Sequence, residues 1–242
     1  MFLLFPILRR LLYLAIVLAA LAIGGELLAR KLIGDAVTHA VEARIGVAPK
    51  IGFGSTPLLV QIAHGKLDEV SVSAQGARID GLGPLALTGT LHDVHLSSLT
   101  SLEGAIGSLS VQARLPPAGL RGLLATRACV DSLPASVLEG LSGAPRIVVL
   151  PGRVDLLPPV GRAVELRLDP YAAGSTVRFA LSALELDGAP APQAELEQVR
   201  ASIDCSRTLS DLPFGVALVS AKATDGALAL AFSGTGASFS AA

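Results

Sequence analysis

The run LLYLAIVLAALAIGGELLARKLIGDAVTHAVEARI, residues 11–45, decides how the rest of the chain is read. Its first half, Leu11 to Gly25, is 15 residues without a charge. Its second half, Glu26 to Ile45, sets Leu28, Leu32, Ile33, Ala36, Val37, Ala40, Val41 and Ile45 at three- and four-residue steps. Arg30, Lys31, Asp35, His39, Glu42 and Arg44 fall largely between them, which predicts an amphipathic helix with one buried stripe. Gly46 suits a helix C-cap and Pro49 bars continuation. The stripe is either ordinary core packing or one wall of a groove, and the pattern fits both.

At about 1.5 Å per residue, Leu11 to Gly25 covers only ~22 Å, short of the ~30 Å hydrocarbon core of a bilayer. Extension through Glu26 to Leu28 brings it to about 27 Å. Arg9 and Arg10 precede the run, which holds the N-terminus in the cytoplasm and sends the body across the membrane. Two fates stay open: an uncleaved anchor, or a signal peptide cut at the small-x-small pattern Ala20-Leu21-Ala22. The helical periodicity runs straight through that site, which favours the anchor. Arg9-Arg10 as a twin-arginine export signal lacks supporting neighbours. Every version divides the chain into a segment 1–25, anchor or signal, and a domain 26–242 outside the cytoplasmic membrane.

The 242 residues are 51% hydrophobic and only 4% aromatic, without tryptophan, so the apolar bulk is Leu, Val, Ile and Ala. Mean hydropathy is +0.61, high for a soluble protein, and the N-terminal run alone does not account for it. Nineteen basic residues against 20 acidic leave a net charge of −1, and no basic patch points to nucleic acid. Two cysteines exclude a disulfide scaffold or a structural zinc site.

From Val47 onward, period-2 alternation predominates. Val70, Val72 and Ala74, then Leu109, Val111, Ala113 and Leu115, then Val164, Leu166 and Leu168 alternate with polar neighbours. Two longer candidates, Gly83 to Leu96 and Ser175 to Asp187, change phase midway. Leu85, Leu87 and Leu91 are out of step with Val94 and Leu96, and Val177, Phe179 and Leu181 with Leu184 and Leu186. Each slip is either a β-bulge, which bends and twists a sheet, or the junction of two short strands. Asp225-Gly226 between two apolar runs predicts a two-residue hairpin. Short helices are expected at Leu58 to Ala63, Ala118 to Thr126 and Ala135 to Leu141. Glu195 to Arg200 is ambiguous, and Ala189 to Gln193 reads as a surface loop. GPLALTGT (83–90) and GALALAFSGT (226–235) echo one another too briefly for a repeat.

Reaction chemistry finds little support. There is no nucleophile elbow, Walker loop or dinucleotide fingerprint. His92 and His95, three apart on a strand, fall on opposite faces unless a bulge brings them together. Asp68-Glu69, Glu195/Glu197 and Glu185/Asp187 lack partners nearby in sequence for acid–base or metal work. The expectation is therefore no catalytic residue, no metal, no cofactor and no enzymatic activity. Cys129 and Cys205 are a disulfide candidate outside the cytoplasm, the alternative being two free thiols. Closing that loop would stabilise by about 4 kcal/mol in the chain-entropy model.

Three stretches together resemble a known family: the amphipathic helix after the N-terminal apolar run, GFGSTPLLVQIAHGKLDEVSVSAQG (52–76), and DLPFGVALVSAKATDGALALAFSGTG (211–236). Pro57-Leu58-Leu59 through Gly65 to Val72, and Leu212-Pro213-Phe214-Gly215 before two hairpin strands, carry the resemblance to the LmeA-like phospholipid-binding family of bacterial envelope proteins. The resemblance implies an α+β, mostly β fold of tubular lipid-binding type: a long helix packed in a highly curved antiparallel sheet, preceded by a membrane segment. It also implies a phospholipid or other acyl-chain lipid as partner, a membrane location, and a part in envelope lipid biogenesis; it supplies no catalytic set.

The physics of the strands leads the same way. A one-sided apolar sheet needs cover, so it either folds on itself as a sandwich or curls around a channel. A channel gains roughly 0.8 kcal/mol per buried methylene of a guest. Candidate lining residues are Leu32, Ile33, Val37 and Val41 of the helix, and Leu58, Leu59 and Ile62 of the short helix. Val70, Val72, Leu85, Leu87, Val177, Phe179, Leu218 and Leu230 complete the set from the strands. The rival readings are a non-catalytic envelope assembly protein with a filled core and, behind it, an envelope hydrolase.

Overall fold

The computed structural model describes residues 4–79, 82–98, 103–124, 146–157, 164–203, 205–209, 212 and 215–239.

 The side chains of 4–18, 20, 36, 40, 44, 79, 83, 96, 98 and 239 lie outside the described ones. The predicted helix Ala135 to Leu141, Cys129, and Pro213-Phe214 of the family-like motif lie outside the described residues.

Residues 11–45 form one uninterrupted helix, α1 (Leu4–Ile45). It stops where the sequence says it must: Gly46 takes a φ of 75° and its N–H donates to the Glu42 carbonyl at 2.8 Å. Among the described residues no helix is long and apolar enough to cross a membrane. Most of Leu11 to Gly25 is among the residues whose side chains are not described.

The body is mostly strand, as expected, but its described residues form two open antiparallel sheets and not one wrapped sheet. The first has the order β1-β2-β3-β4-β12-β11, with β1 (Lys50–Gly52), β2 (Lys66–Ile79), β3 (Leu82–Ser98), β4 (Glu103–Leu115), β11 (Ala217–Thr224) and β12 (Ala227–Phe239). The second has the order β10-β8-β7-β6-β5, with β5 (Arg146–Leu150), β6 (Arg153–Leu157), β7 (Val164–Ala173), β8 (Thr176–Leu186) and β10 (Cys205–Thr208). A two-residue strand, β9 (Ala189–Pro190), pairs with β8 where a loop was expected. Three short helices lie among the described residues: α2 (Leu58–Ala63), α3 (Pro117–Leu124) and α4 (Gln193–Ser202), which resolves the ambiguous Glu195 to Arg200 as helix. The hairpin at Asp225-Gly226 forms, with Thr224 opposite Ala227.

The sheets meet over a large aliphatic core. Leu115, Leu228 and Leu230 from the first sheet, Leu166, Leu168 and Val177 from the second, and Leu120 of α3 are fully buried there. At roughly 1.5–3 kcal/mol for each large side chain removed from water, this core is the main source of stability. Backbone bonds from Gly152 N–H to the Ala223 carbonyl and from Gly226 N–H to the Val149 carbonyl tie the β5–β6 hairpin to the end of β11. The second sheet thus supplies the cover that a one-sided sheet needs.

A second, smaller core holds Phe53, Leu58, Leu67, Val70, Val94, Ile106 and Leu109 at the other end of the long strands. Here α1 and α2 provide the cover: α1 touches α2, β1 and β2. The helix therefore docks along one edge of the first sheet and is not enclosed by it, which corrects the expected arrangement.

Both phase slips prove to be irregularities inside continuous strands. In β8, Arg167 pairs with Ala183 but Leu168 with Leu181, so Ser182 is the extra residue; its hydroxyl donates to the Arg167 carbonyl and to Asp169 Oδ1. In β3 the slip falls at Asp93, which has a φ of 54°. Flanking pairs put Asp93 between Asp68 of β2 and Gly107 of β4, and Gly107 opposite Gly236 of β12, whose φ is 67°. Burial changes phase along all four strands near this row: Leu67 to Val70, Leu87 to Val94, Ile106 to Leu109, and Phe232 to half-buried Ala237. The apolar sides of the strands on both sides of the row consequently face inward. A Cβ at Gly107 would lie 2.7 Å from the Asp93 Cβ, so the row has room only for glycine there.

Candidate functional site

The predicted lining residues divide between the two cores. Leu85, Leu87, Val177, Phe179, Leu218 and Leu230 are buried in the larger one, with Val41 packed against it. Leu58 and Val70 are buried in the smaller one, with Ile33 and Ile62 packed against it. Val37 is half-buried, and half-buried Val72 pairs with Ile51 of β1. Leu32 and Leu59 are exposed, at 62% and 42%. The buried row of α1 is Ala29, Ile33, Val41 and Ile45, whereas Leu28 and Leu32 lie on the neighbouring row and face away. Spacing alone could not separate adjacent rows of one amphipathic helix.

Among the clefts on the described surface, two touch the predicted set. One, of about 260 Å³, lies on the outer face of the first sheet, where Arg114 and Lys222 stand on either side of Ala229, and Gln112 and Ser220 on either side of Ala231. The other, of about 180 Å³, is bounded by Tyr171, Arg178 and Arg200 with Phe179, Leu181 and Ile203. Both are below the ~300–1,000 Å³ usual for a ligand pocket. Leu230 and Phe179 are the only predicted lining residues that reach them.

The best-defined polar arrangement joins α1 to α2. The helix α2 begins at Pro57 with no side-chain cap of its own, which leaves first-turn N–H groups to be satisfied from elsewhere. Glu26 supplies them: Leu58 N–H donates to Oε1 at 2.7 Å and Leu59 N–H to Oε2 at 2.9 Å. Arg30 Nε donates to the same Oε1 at 2.6 Å, and its guanidinium also reaches the Thr56 carbonyl at 3.3 Å. The Leu58 amide, then the Leu59 amide, then Arg30 hold the Glu26 carboxyl down to about 2. On the other side, buried Gln61 donates to the Thr56 carbonyl at 2.8 Å and accepts from the Asp68 N–H at 2.7 Å, fixing α2 to β2. The sequence reading missed Glu26 and Gln61. A helix starting on Pro57 with no Ser, Thr, Asp or Asn at its cap was the available signal.

The histidine pair does flank a distorted residue. Asp93 lies between them, its carboxyl lowered first by the Lys66 ammonium 2.6 Å away and to a lesser extent by His95 and His92. His95 Nδ1 is 3.1 Å from the Asp93 carbonyl, and both imidazoles are exposed. Cys205 is buried at the start of β10 and disulfide-bonded.

The family model for LmeA-like phospholipid-binding proteins matches residues 24–233. The chain belongs to that family. Lipid binding is therefore its class of function. The match takes in the Glu26 junction, the second sheet and all of the first but the end of β12. No curated protein and no solved structure matches the chain.

Proposed function

We propose that this protein is a non-catalytic lipid-binding or lipid-transfer module, anchored by residues 1–25 with its domain outside the cytoplasmic membrane. Its lipid is a phospholipid, and its work belongs to envelope lipid biogenesis. The family match over residues 24–233 carries this reading. The uncharged run Leu11 to Gly25 behind Arg9-Arg10 supports the location. Native mass spectrometry of the detergent-free domain, followed by solvent extraction, tests it. Phospholipid should co-purify in a fixed ratio to protein; a lipid-free chain that takes up none from vesicles would overturn the reading.

One observation favours a second reading, a filled-core assembly protein. The described interior is occupied by its own leucines and valines, and both described clefts are small. Lipid uptake therefore requires the sheets or the α1–α2 end to part. Crosslinking the two sheets to one another and α2 to β2 in one chain separates the readings: the double lock should abolish lipid uptake in a carrier and leave an assembly protein unaffected.

A further inference from the structure

We propose that α2 is a second membrane contact, a small foot held by Glu26 against α1 so that Leu59 and Val60 enter the bilayer interface beside the anchor. This rests on the anchor proposed above and adds a surface to it. The two residues are 42% and 47% exposed on a six-residue helix, where an isolated loop would normally carry polar side chains. They are not isolated. A Cβ built on Gly25 would lie 3.3 Å from Leu59 Cδ1, so Leu59 covers the residue at which the uncharged run ends. Leu21, Gly25, Leu28 and Leu32 follow one another at four-, three- and four-residue steps, which makes a single face of α1. Leu21, Leu28 and Leu32 on that face are all exposed, and Leu59 joins them across Gly25.

The charges fit a lipid surface. Glu26 would be costly at this depth if free, but two amides and Arg30 satisfy its carboxylate. Arg30 and Lys31 follow Gly25 by five and six residues, or roughly 7–9 Å along the axis, which is the level of the headgroups. Cations there meet lipid phosphates. A helix with one contact could swivel about the anchor. A foot 33 residues away in sequence, clamped to the same helix, fixes which end of the domain faces the lipid.

The chain has no tryptophan, so one introduced residue reports alone. The full chain with Val60→Trp is reconstituted in vesicles of equal parts phosphatidylcholine and phosphatidylglycerol, with brominated phosphatidylcholine as quencher. Val219→Trp, 60% exposed on β11 at the opposite edge of the first sheet, is the control. The Val60→Trp emission should be blue-shifted and quenched several-fold more strongly than the control. Adding Glu26→Ala should bring its quenching toward the control while the chain stays in the vesicle fraction. Equal quenching of the two reporters in a membrane-bound chain overturns the foot and spares the anchor. A chain that does not sediment with vesicles overturns both.

Discussion

The larger core is closed by a second sheet and α3, whereas the smaller one is closed by the flank of α1 and by α2, six residues long. The same four strands, β2, β3, β4 and β12, run through both regions. What differs is how the cover is held. Over the large core it is held by interlocked aliphatic side chains and backbone bonds between hairpins; over the small one, the packing of Leu58, Ile33 and Ile62 is joined by the Glu26 carboxylate and Gln61. The large core is thus expensive to open, while the cover of the small one includes a polar link that a proton or a substitution at Glu26 weakens. In a protein that must admit a lipid, the weakly covered end is the better place for it to enter.

The largest expected effect tests this contrast directly. Leu228→Ala, in the large core, should cost about 2–5 kcal/mol of global stability in denaturant titrations. Leu58→Ala removes an equally buried side chain from the small core. It should lower global stability less and instead speed hydrogen exchange in α2 and the start of β2. Equal global losses with uniform exchange would show that the two cores open as one.

Next in size is the row of slips that joins them. Gly107→Val forces a side chain against Asp93 and should cost about 1–3 kcal/mol. Pairing at the Asp93 end of β3 and β4 should loosen in exchange measurements, with the Leu115 end unchanged.

Two carboxylates of opposite sign give the smaller effects. Glu26 titrates near 2 in the folded state against an ordinary 4.5, so the folded protein binds fewer protons than the unfolded chain in between. Its contribution is complete above about 4.5 and lost as pH falls toward 2. Exchange at the Leu58 and Leu59 amides should rise over that window, and Glu26→Gln should flatten the rise. Asp155, in β6, is the reverse: burial pushes its carboxyl up, and Arg153, 3.3 Å away, offsets this only in part. Its ionised form costs stability once pH rises above its ordinary value. Asp155→Asn should therefore raise the denaturation midpoint slightly at neutral pH and change it little in strong acid. A lowered midpoint at neutral pH would mean that the Arg153 pairing outweighs the burial.

Much of this was legible residue by residue. The run 11–45 announced one helix and its end at Gly46. The phase changes at Asp93 and Ser182 announced irregular strands, and Asp225-Gly226 its hairpin. The site was less legible. The lining set named from alternation is buried as expected over most of the strands, yet it belongs to two separate cores, and Leu32 and Leu59 face outward.

The sequence by itself determined which residues turn inward along most of the strands, because side-chain direction there alternates with the local backbone period. Only the tertiary structure decided that the strands form two sheets, that slips in four strands line up in one row, and that Glu26 caps a helix beginning 32 residues later. Each of these depends on register and on contacts between distant segments. No local pattern encodes them, since the free energy that selects them arises only when the surfaces meet.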